Sequence, residues 1–126
     1  MHAFHTAVWI DHQEAKIFEV DRSSEATATV KATLGHLHRH ATVTAERQHP
    51  ADVQRFFQEI ARVLEGAQEI LVLGPASAKL ELVKHLRDHS PAVATRIVGV
   101  ETVDHPTDGQ ITAYARKYFR AADRML

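Results

Sequence analysis

Apolar and polar stretches alternate most clearly in the second half of the chain. Ile70–Leu73 is continuously apolar, which is typical of a strand covered on both faces, and a Gly-Pro pair follows it. Ala78–His89 has apolar residues at helical spacing, and Pro91 prevents the helix from continuing. Arg96–Thr102 predicts a second buried strand, which a right-handed crossover would make parallel to the first. The pattern indicates an α/β sheet.

The first half predicts three strands. Ala7–Ile10 and Ala15–Val20 are apolar runs separated by a short polar turn, which indicates a β-hairpin. A third run, Ala26–Leu34, contains Thr and Val residues that favour extended chain. From Gly35 to His49 the apolar periodicity is lost, so we expect a strand end and a long exposed loop. Loops of this length in small domains are often functional.

Two further amphipathic helices complete the pattern. Pro50 suits a first helical position, and the apolar spacing that follows it continues to Gly66. The last helix is expected to have Asp108 as its N-cap and an apolar stripe of Ile111, Ala115, Tyr118, Ala122 and Met125. The predicted order is β-β-β-α-β-α-β-α, as in a ribonuclease-H-like α/β fold with a mixed sheet, in a single domain of residues 1–126.

Composition excludes several functional classes. The 126 residues are 44% hydrophobic and 25% charged, and the net charge of −1 argues against a broad electropositive surface. The absence of cysteine excludes disulfides and thiolate chemistry. No apolar run could span a bilayer and no signal-peptide pattern is present, so we expect a cytoplasmic protein that is not bound to a membrane.

Histidine is the one residue type in clear excess, with ten in the chain. His36, His38 and His40 alternate, so in an extended segment their side chains point to one side. Together with His49 nearby in sequence, they could hold zinc or another borderline metal ion, and the chain would then be a metal-binding regulatory or binding protein. A solvated strand end in a histidine-rich protein explains the same pattern. The sequence indicates no other cofactor.

Basic residues provide two more candidate sites. Lys79 lies in a predicted strand-to-helix turn whose free N–H groups could bind an anion, although the turn lacks the glycines and the Gly-Lys-Ser/Thr ending of a P-loop. In the last helix, a positive stripe could follow an RNA backbone. Its residues are Arg116, Lys117, Arg120 and Arg124. Stabilisation of the helix dipole is the alternative explanation of that stripe.

Catalysis has little support in the sequence. A ribonuclease-H-type site needs several carboxylates on magnesium, but beyond Asp11 near the first strand the later strands offer only Glu101. We therefore expect a protein that is not an enzyme. A small hydrolase remains an alternative if a deep pocket brings together Asp11, Lys79 and Asp108.

Three segments resemble a known family. They are Ala7–Phe18 (AVWIDHQEAKIF), Ile70–Lys79 (ILVLGPASAK) and Val100–Gln110 (VETVDHPTDGQ). Through them the chain is similar to small bacterial proteins labelled translational machinery proteins. These are related to the middle domain of archaeo-eukaryotic release factors and of Pelota-type ribosome rescue factors. The resemblance covers nearly the whole chain and implies their ribonuclease-H-like sheet.

One departure from the release factors bears on function. Their Gly-Gly-Gln tip lies between the third strand and the first helix, where this chain has Gly35–His49 and no such triplet. Asp108-Gly109-Gln110 lies before the last helix and is not its counterpart. The resemblance thus implies a non-catalytic accessory factor that binds the ribosome or RNA. The corresponding tip residues would be His36, Arg39, His40, Arg47 and His49. An edge strand could also pair two copies into a homodimer.

Overall fold

The computed structural model describes residues 3–32 and 50–124. Its elements, in chain order, are β1 (Ala3–Ile10), β2 (Glu14–Glu19), β3 (Ala28–Lys31), α1 (Pro50–Leu64), β4 (Ala67–Gly74), α2 (Ala78–His89), α3 (Pro91–Ala94), β5 (Ile97–Thr102) and α4 (Asp108–Arg124). The predicted order is confirmed, with the short helix α3 as an addition. Pro91 ends α2 as expected, but it also starts α3, because a first helical position needs no N–H donor.

Within the described ranges, the strands form one mixed sheet in the order β3-β2-β1-β4-β5. β1 and β2 form the predicted antiparallel hairpin, with Val8 opposite Ile17. β4 lies parallel to β1, with Val72 opposite Val8, and β5 lies parallel to β4 as predicted. The fold class expected from the sequence is therefore confirmed.

Helices on the two faces of this sheet produce two apolar cores. The α1/α2 core includes Phe57 and Ile60, and it receives Val8 from the sheet. The α4 core includes Phe119, and it receives Trp9 from the same strand. Alternate residues of β1 thus enter opposite cores, as the two-residue period of a strand requires. None of the described helices has the length and apolar character that crossing a bilayer requires.

The strand β5 was expected to be buried and instead lies at the edge of the sheet. Val98 is 41% exposed because only one neighbouring strand covers the chain there. α4 nevertheless packs close to this edge. The Tyr118 hydroxyl donates a hydrogen bond of 3.2 Å to the Val98 carbonyl, and a Cβ on Gly99 would overlap that hydroxyl. A larger residue at this point of the strand would require the Tyr118 ring to move.

The start of α4 also differs from the prediction, because Thr107 rather than Asp108 is the N-cap. The Gln110 N–H donates to Thr107 Oγ1 (3.2 Å), and the Thr107 N–H donates to Gln110 Oε1 (2.9 Å). These reciprocal bonds form a capping box. The Asp108 carboxylate instead accepts hydrogen bonds from Lys16 Nζ and the Ala26 N–H, both 3.2 Å long. It ties α4 to the β2–β3 connection.

The apolar stripe of α4 is also displaced from the predicted one. Ile111 and Ala115 are buried as expected, but the buried aromatic residue is Phe119, which the predicted stripe omitted. Tyr118 is only partly buried against the same core. Met125 lies outside the described residues.

Candidate functional site at the carboxyl edge of the sheet

The carboxyl ends of β1, β4 and β5 meet along one edge of the sheet, which we call the carboxyl edge. In open α/β sheets, ligands bind in crevices outside these strand ends. A cavity of about 450 Å³ lies here, lined by Leu73 at the end of β4, by the β5–α4 connection and by Tyr114 of α4. Its volume is within the range of small-molecule sites. The carboxyl edge is therefore a candidate ligand site.

His105 lies on this cavity between two carboxylates. Its Nδ1 is 2.9 Å from Asp104 Oδ1, and its Nε2 is 3.6 Å from Asp11 Oδ2. The hydrogen bond with Asp104 is the main reason that the pKa of His105 is raised, and the charge of Asp11 acts in the same direction. Trp9 fixes the segment, because its indole N–H donates to the Asp104 carbonyl at 2.8 Å. A protonated His105 could meet an anionic group at the rim of the cavity.

A second polar network lies at the start of α2. The Ser77 hydroxyl donates to Glu81 Oε2 (3.0 Å), and His12 Nε2 lies 3.1 Å from the same oxygen. The serine makes no side-chain cap bond, because its hydroxyl is used on this carboxylate. The first turn of α2 thus carries its own anion, which stabilises the positive end of the helix dipole.

Lys79, the predicted anion-binding residue, is buried in this turn with 7% of its surface exposed. Its ammonium group donates to the carbonyl of Ala76, so it serves the turn itself. Gly74 allows the close approach of β4 to β1, because a Cβ there would overlap the Ile10 carbonyl oxygen. In the described conformation, the Lys79 ammonium group is therefore bound within the turn itself.

The three residues of the hydrolase alternative have separate partners. Asp11 Oδ1 accepts the N–H groups of the β1–β2 turn at 2.8 and 2.9 Å. Lys79 faces Ala76, and Asp108 binds the β2–β3 connection. Glu101, the strand carboxylate, accepts the Tyr114 hydroxyl at 2.9 Å. Burial is the main reason that the pKa of Tyr114 is raised, and this hydrogen bond is the second. None of these contacts assembles a paired-carboxylate or nucleophile site.

The predicted basic stripe of α4 has two parts. Arg116 is bound to the β2–β3 connection: its Nε donates to the Val20 carbonyl (2.7 Å) and its Nη2 to the Ser23 carbonyl (3.0 Å). Lys117 and Arg120 are exposed. The backbone of Arg124 belongs to α4, but its side chain is outside the description. The part of the stripe open to a partner is therefore Lys117 with Arg120.

The other predicted site residues lie outside the described part of the chain. They are His36, His38, Arg39, His40, Arg47 and His49. The zinc cluster and the RNA-binding tip that they would form therefore stay predictions.

Sequence reasoning did not single out His105. The signal for it was available, because Asp104-His105 lies just beyond one predicted strand and Asp11 directly follows another. Strands that run parallel bring such residues to one edge. The pairing of β1 with β4, which completes this edge, could not be read from either segment alone.

Several solved structures have a similar fold. An archaeal translation termination factor, aRF1, matches with a TM-score of 0.57 at 12% identity, over 94% of this chain and 39% of that chain. Pelota from Archaeoglobus fulgidus matches with a TM-score of 0.51 at 17% identity, over 98% of this chain and 38% of that chain. A third match is an archaeal protein with a TM-score of 0.55.

These likenesses are of fold, since the identities are low. The chain spans less than two fifths of the length of each of these neighbours, so it corresponds to one part of longer proteins. No family model matches the chain, and no curated protein matches it.

Proposed function

We propose that this protein is a non-catalytic accessory factor of translation that associates with the ribosome or with RNA. The observation that carries the proposal is the likeness of fold to an archaeal termination factor over 94% of the chain. The resemblance to the small bacterial translational machinery proteins belongs to the same proposal, as do a cytoplasmic location and a single domain of residues 1–126.

The proposal assigns the contacts to two cationic surfaces. The first is Gly35–His49, which takes the place of the release-factor Gly-Gly-Gln loop and offers two arginines and four histidines. The second is the exposed pair Lys117 and Arg120 on α4. Lys and Arg contacts to phosphate dominate the affinity of such surfaces and weaken as salt rises. Arg116 has a structural role here, because its guanidinium group is held by backbone carbonyls.

Two observations support a role without catalysis. The chain has no Gly-Gly-Gln triplet. In addition, the side chains on which a hydrolase would depend are bound to separate partners in turns and helix ends. The protein would act by occupying a site and by the contacts that it makes there.

Co-sedimentation with ribosomes at two salt concentrations tests the proposal. We expect the wild-type chain in the ribosomal fractions at low salt and a smaller share at high salt. The double variant Lys117→Glu/Arg120→Glu should bind about tenfold more weakly, because each substitution replaces a phosphate contact by repulsion. Arg62→Glu/Arg87→Glu is the matched control, since it makes the same change of charge at exposed positions of α1 and α2.

The outcomes separate the parts of the proposal. Absence of the wild-type protein from ribosomal fractions at low salt would overturn it. Equal binding by the two double variants would remove α4 as a contact surface, and Arg39→Ala/Arg47→Ala then tests the Gly35–His49 segment.

A homodimer is a further part of the proposal. β5 is an edge strand of the described sheet, and an edge strand can pair with a second copy of itself. Sedimentation velocity of the wild-type chain measures the mass. A Val98→Lys substitution on the exposed side of β5 should shift a dimer toward monomer.

A further inference from the structure

A cluster of one histidine and two carboxylates lies at the amino ends of β1 and β4, opposite to the carboxyl edge. His5 comes from β1, Glu69 from β4 and Asp123 from the end of α4. His5 Nε2 is 3.5 Å from Glu69 Oε1 and 3.4 Å from Asp123 Oδ2. One potential ligand atom from each residue lies within 4.8 Å of the others. We call these three residues the amino-edge cluster.

The Nε2 atom of His5 is buried, and among the described residues no hydrogen-bond partner satisfies it. Buried polar atoms in proteins nearly always have a partner, so an exception requires an explanation such as an ion that is not shown. The two carboxylate oxygens face this nitrogen at distances longer than ordinary charge-assisted hydrogen bonds. The spacing suits a different geometry. Ligand atoms about 2.1 Å from a tetrahedrally coordinated zinc ion are about 3.4 Å apart.

The opposite side of the imidazole is held as in metal sites. His5 Nδ1 lies 3.1 and 3.2 Å from the two carboxylate oxygens of Asp21, which also accepts the His5 backbone N–H at 3.2 Å. A carboxylate on the second ring nitrogen fixes the tautomer that leaves Nε2 free to bind a metal. The ring is also packed between Phe4 and Phe119, each with its centroid 4.4 Å away.

The site is open on one side. A cavity of about 220 Å³ is lined by His5, Asp21, Phe119 and Asp123, and also by Arg116 and Arg120. The His5 side chain is 13% exposed, Glu69 24% and Asp123 42%. An ion could therefore enter from solvent and keep a water molecule as a further ligand, as zinc sites with three protein ligands do.

We propose that the amino-edge cluster binds a divalent transition-metal ion, with His5 Nε2, Glu69 Oε1 and Asp123 Oδ2 as ligands. One imidazole and two carboxylates suit zinc, and they also accept cobalt or manganese. The ion would join β1, β4 and the end of α4, and it would neutralise the two carboxylates that meet there. This inference does not depend on binding to RNA or to the ribosome.

The alternative is that a protonated His5 is simply surrounded by three carboxylates and binds no metal. The two arrangements respond differently to added ions. A metal requires neutral imidazole, so its affinity falls as the pH is lowered toward the range in which histidine takes up a proton. Ion pairs between a protonated His5 and the carboxylates are instead strengthened by the same change of pH, and added zinc does not affect them.

Titration with Co²⁺, followed by visible absorption and by competition with Zn²⁺, tests the proposal. The protein used is the full chain with His36→Ala/His38→Ala/His40→Ala, so that the alternating histidines do not contribute. We expect one ion per chain, with an affinity at pH 7.5 that falls at pH 5.5. Glu69→Gln and Asp123→Asn keep the shape of the side chains and should each weaken binding at least ~10-fold, and Asp21→Asn should weaken it about 10-fold.

His105→Gln is the matched control, because His105 also lies between two carboxylates but is not part of the cluster. It should leave the cobalt titration unchanged. Circular dichroism of each variant shows that the fold is retained. The proposal is overturned if the chain with His5 intact binds no cobalt at pH 7.5. It is also overturned if Glu69→Gln and Asp123→Asn bind as tightly as their parent.

Discussion

His85 and His105 show how strongly the surroundings of a residue determine its chemistry. His85 is 5% exposed, and neither of its ring nitrogens has a hydrogen-bond partner among the described residues. Burial is the main reason that its pKa is lowered, and the neighbouring His89 adds to the effect. The pKa of His105 is raised by its hydrogen bond with Asp104. The first histidine therefore favours the neutral form, and the second favours the charged form.

Replacing His85 by leucine should reduce the loss of stability at acid pH. The unfolded chain takes up a proton at this position near pH 6.5, before the folded chain does. Folding is therefore favoured fully above that pH and progressively less below it. We expect the free energy of unfolding to fall more between pH 7.5 and pH 5.5 in the wild type than in His85→Leu. Urea denaturation of both proteins at both pH values measures this difference. An equal pH dependence would contradict the prediction.

The raised pKa of His105 should depend on its two carboxylate partners, Asp104 and Asp11. Asp104→Asn removes the main cause, so we expect the pKa of His105 to fall toward 6.5. Asp11→Asn removes a weaker contribution from a carboxylate 3.6 Å away and should lower it less. NMR titration of the ring protons follows this residue. Asp88→Asn, which changes a carboxylate on the distant helix α2, is the control and should have no effect.

At this scale the sequence indicates which residue types are abundant but not which of them meet. The excess of histidine indicated a metal site at His36, His38 and His40, because these three are close in sequence. The partners of His5 come from β4 and from the end of α4, so no local spacing could indicate them. Contacts between distant segments depend on the register of the sheet, and a register cannot be read from one segment.

Gly74 allows β4 to approach the backbone of β1 closely. A Cβ there would overlap the Ile10 carbonyl oxygen, which the β1–β4 pairing holds in place. Gly74→Ala should therefore lower the free energy of unfolding by about 1–3 kcal/mol. Gly109→Ala is the matched control: nothing lies within 4 Å of the new methyl group, and alanine favours the first turn of α4. Urea denaturation should show a lower midpoint for the first variant alone.

Arg116 connects two elements, whereas its neighbour Lys117 does not. Its guanidinium group donates to the carbonyls of Val20 and Ser23 and so fastens α4 to the β2–β3 connection. Arg116→Ala should cost about 1–2 kcal/mol of the free energy of unfolding, because two hydrogen bonds from a charged donor are lost. Lys117→Ala, at an exposed position, should change it by less than about 0.5 kcal/mol. Similar losses in both variants would show that Arg116 is not a structural tie.

The types and bounds of the elements were predicted well where a proline marks the end of a helix. α2 has the predicted bounds, because Pro91 stops it at a definite place. The errors fall where neighbouring residues compete for a role or where packing decides. Thr107 and Asp108 are both good cap residues, and the threonine is used because the carboxylate of Asp108 is drawn to Lys16. The exposure of β5 follows from the strand order, which its own sequence does not reveal.

In the whole molecule, α4 connects the two ends of the sheet. It begins at the carboxyl edge, where Asp108 binds Lys16, and it ends at the amino ends of β1 and β4 (the amino edge), where Asp123 faces His5. Between them, Phe119 and Ile111 fill one core. A partner bound to the exposed side of α4 and an ion at the amino edge would thus act on the same helix. The sequence predicted this helix and its basic residues. It did not predict that the two ends of the helix reach opposite ends of the sheet.

The two cores should unfold together, because β1 supplies side chains to both. Trp9, the one tryptophan of the sequence, is 4% exposed in the α4 core, while Val8 and Ile10 enter the α1/α2 core. Ile60→Val removes a methyl group from the α1/α2 core and should cost about 0.5–1.5 kcal/mol. If the described ranges form one cooperative unit, the urea midpoint should shift by the same amount in tryptophan fluorescence and in far-ultraviolet circular dichroism. A fluorescence transition that stays in place while the dichroism transition moves would show that the faces of the sheet unfold independently. The prediction of a single domain would then be wrong.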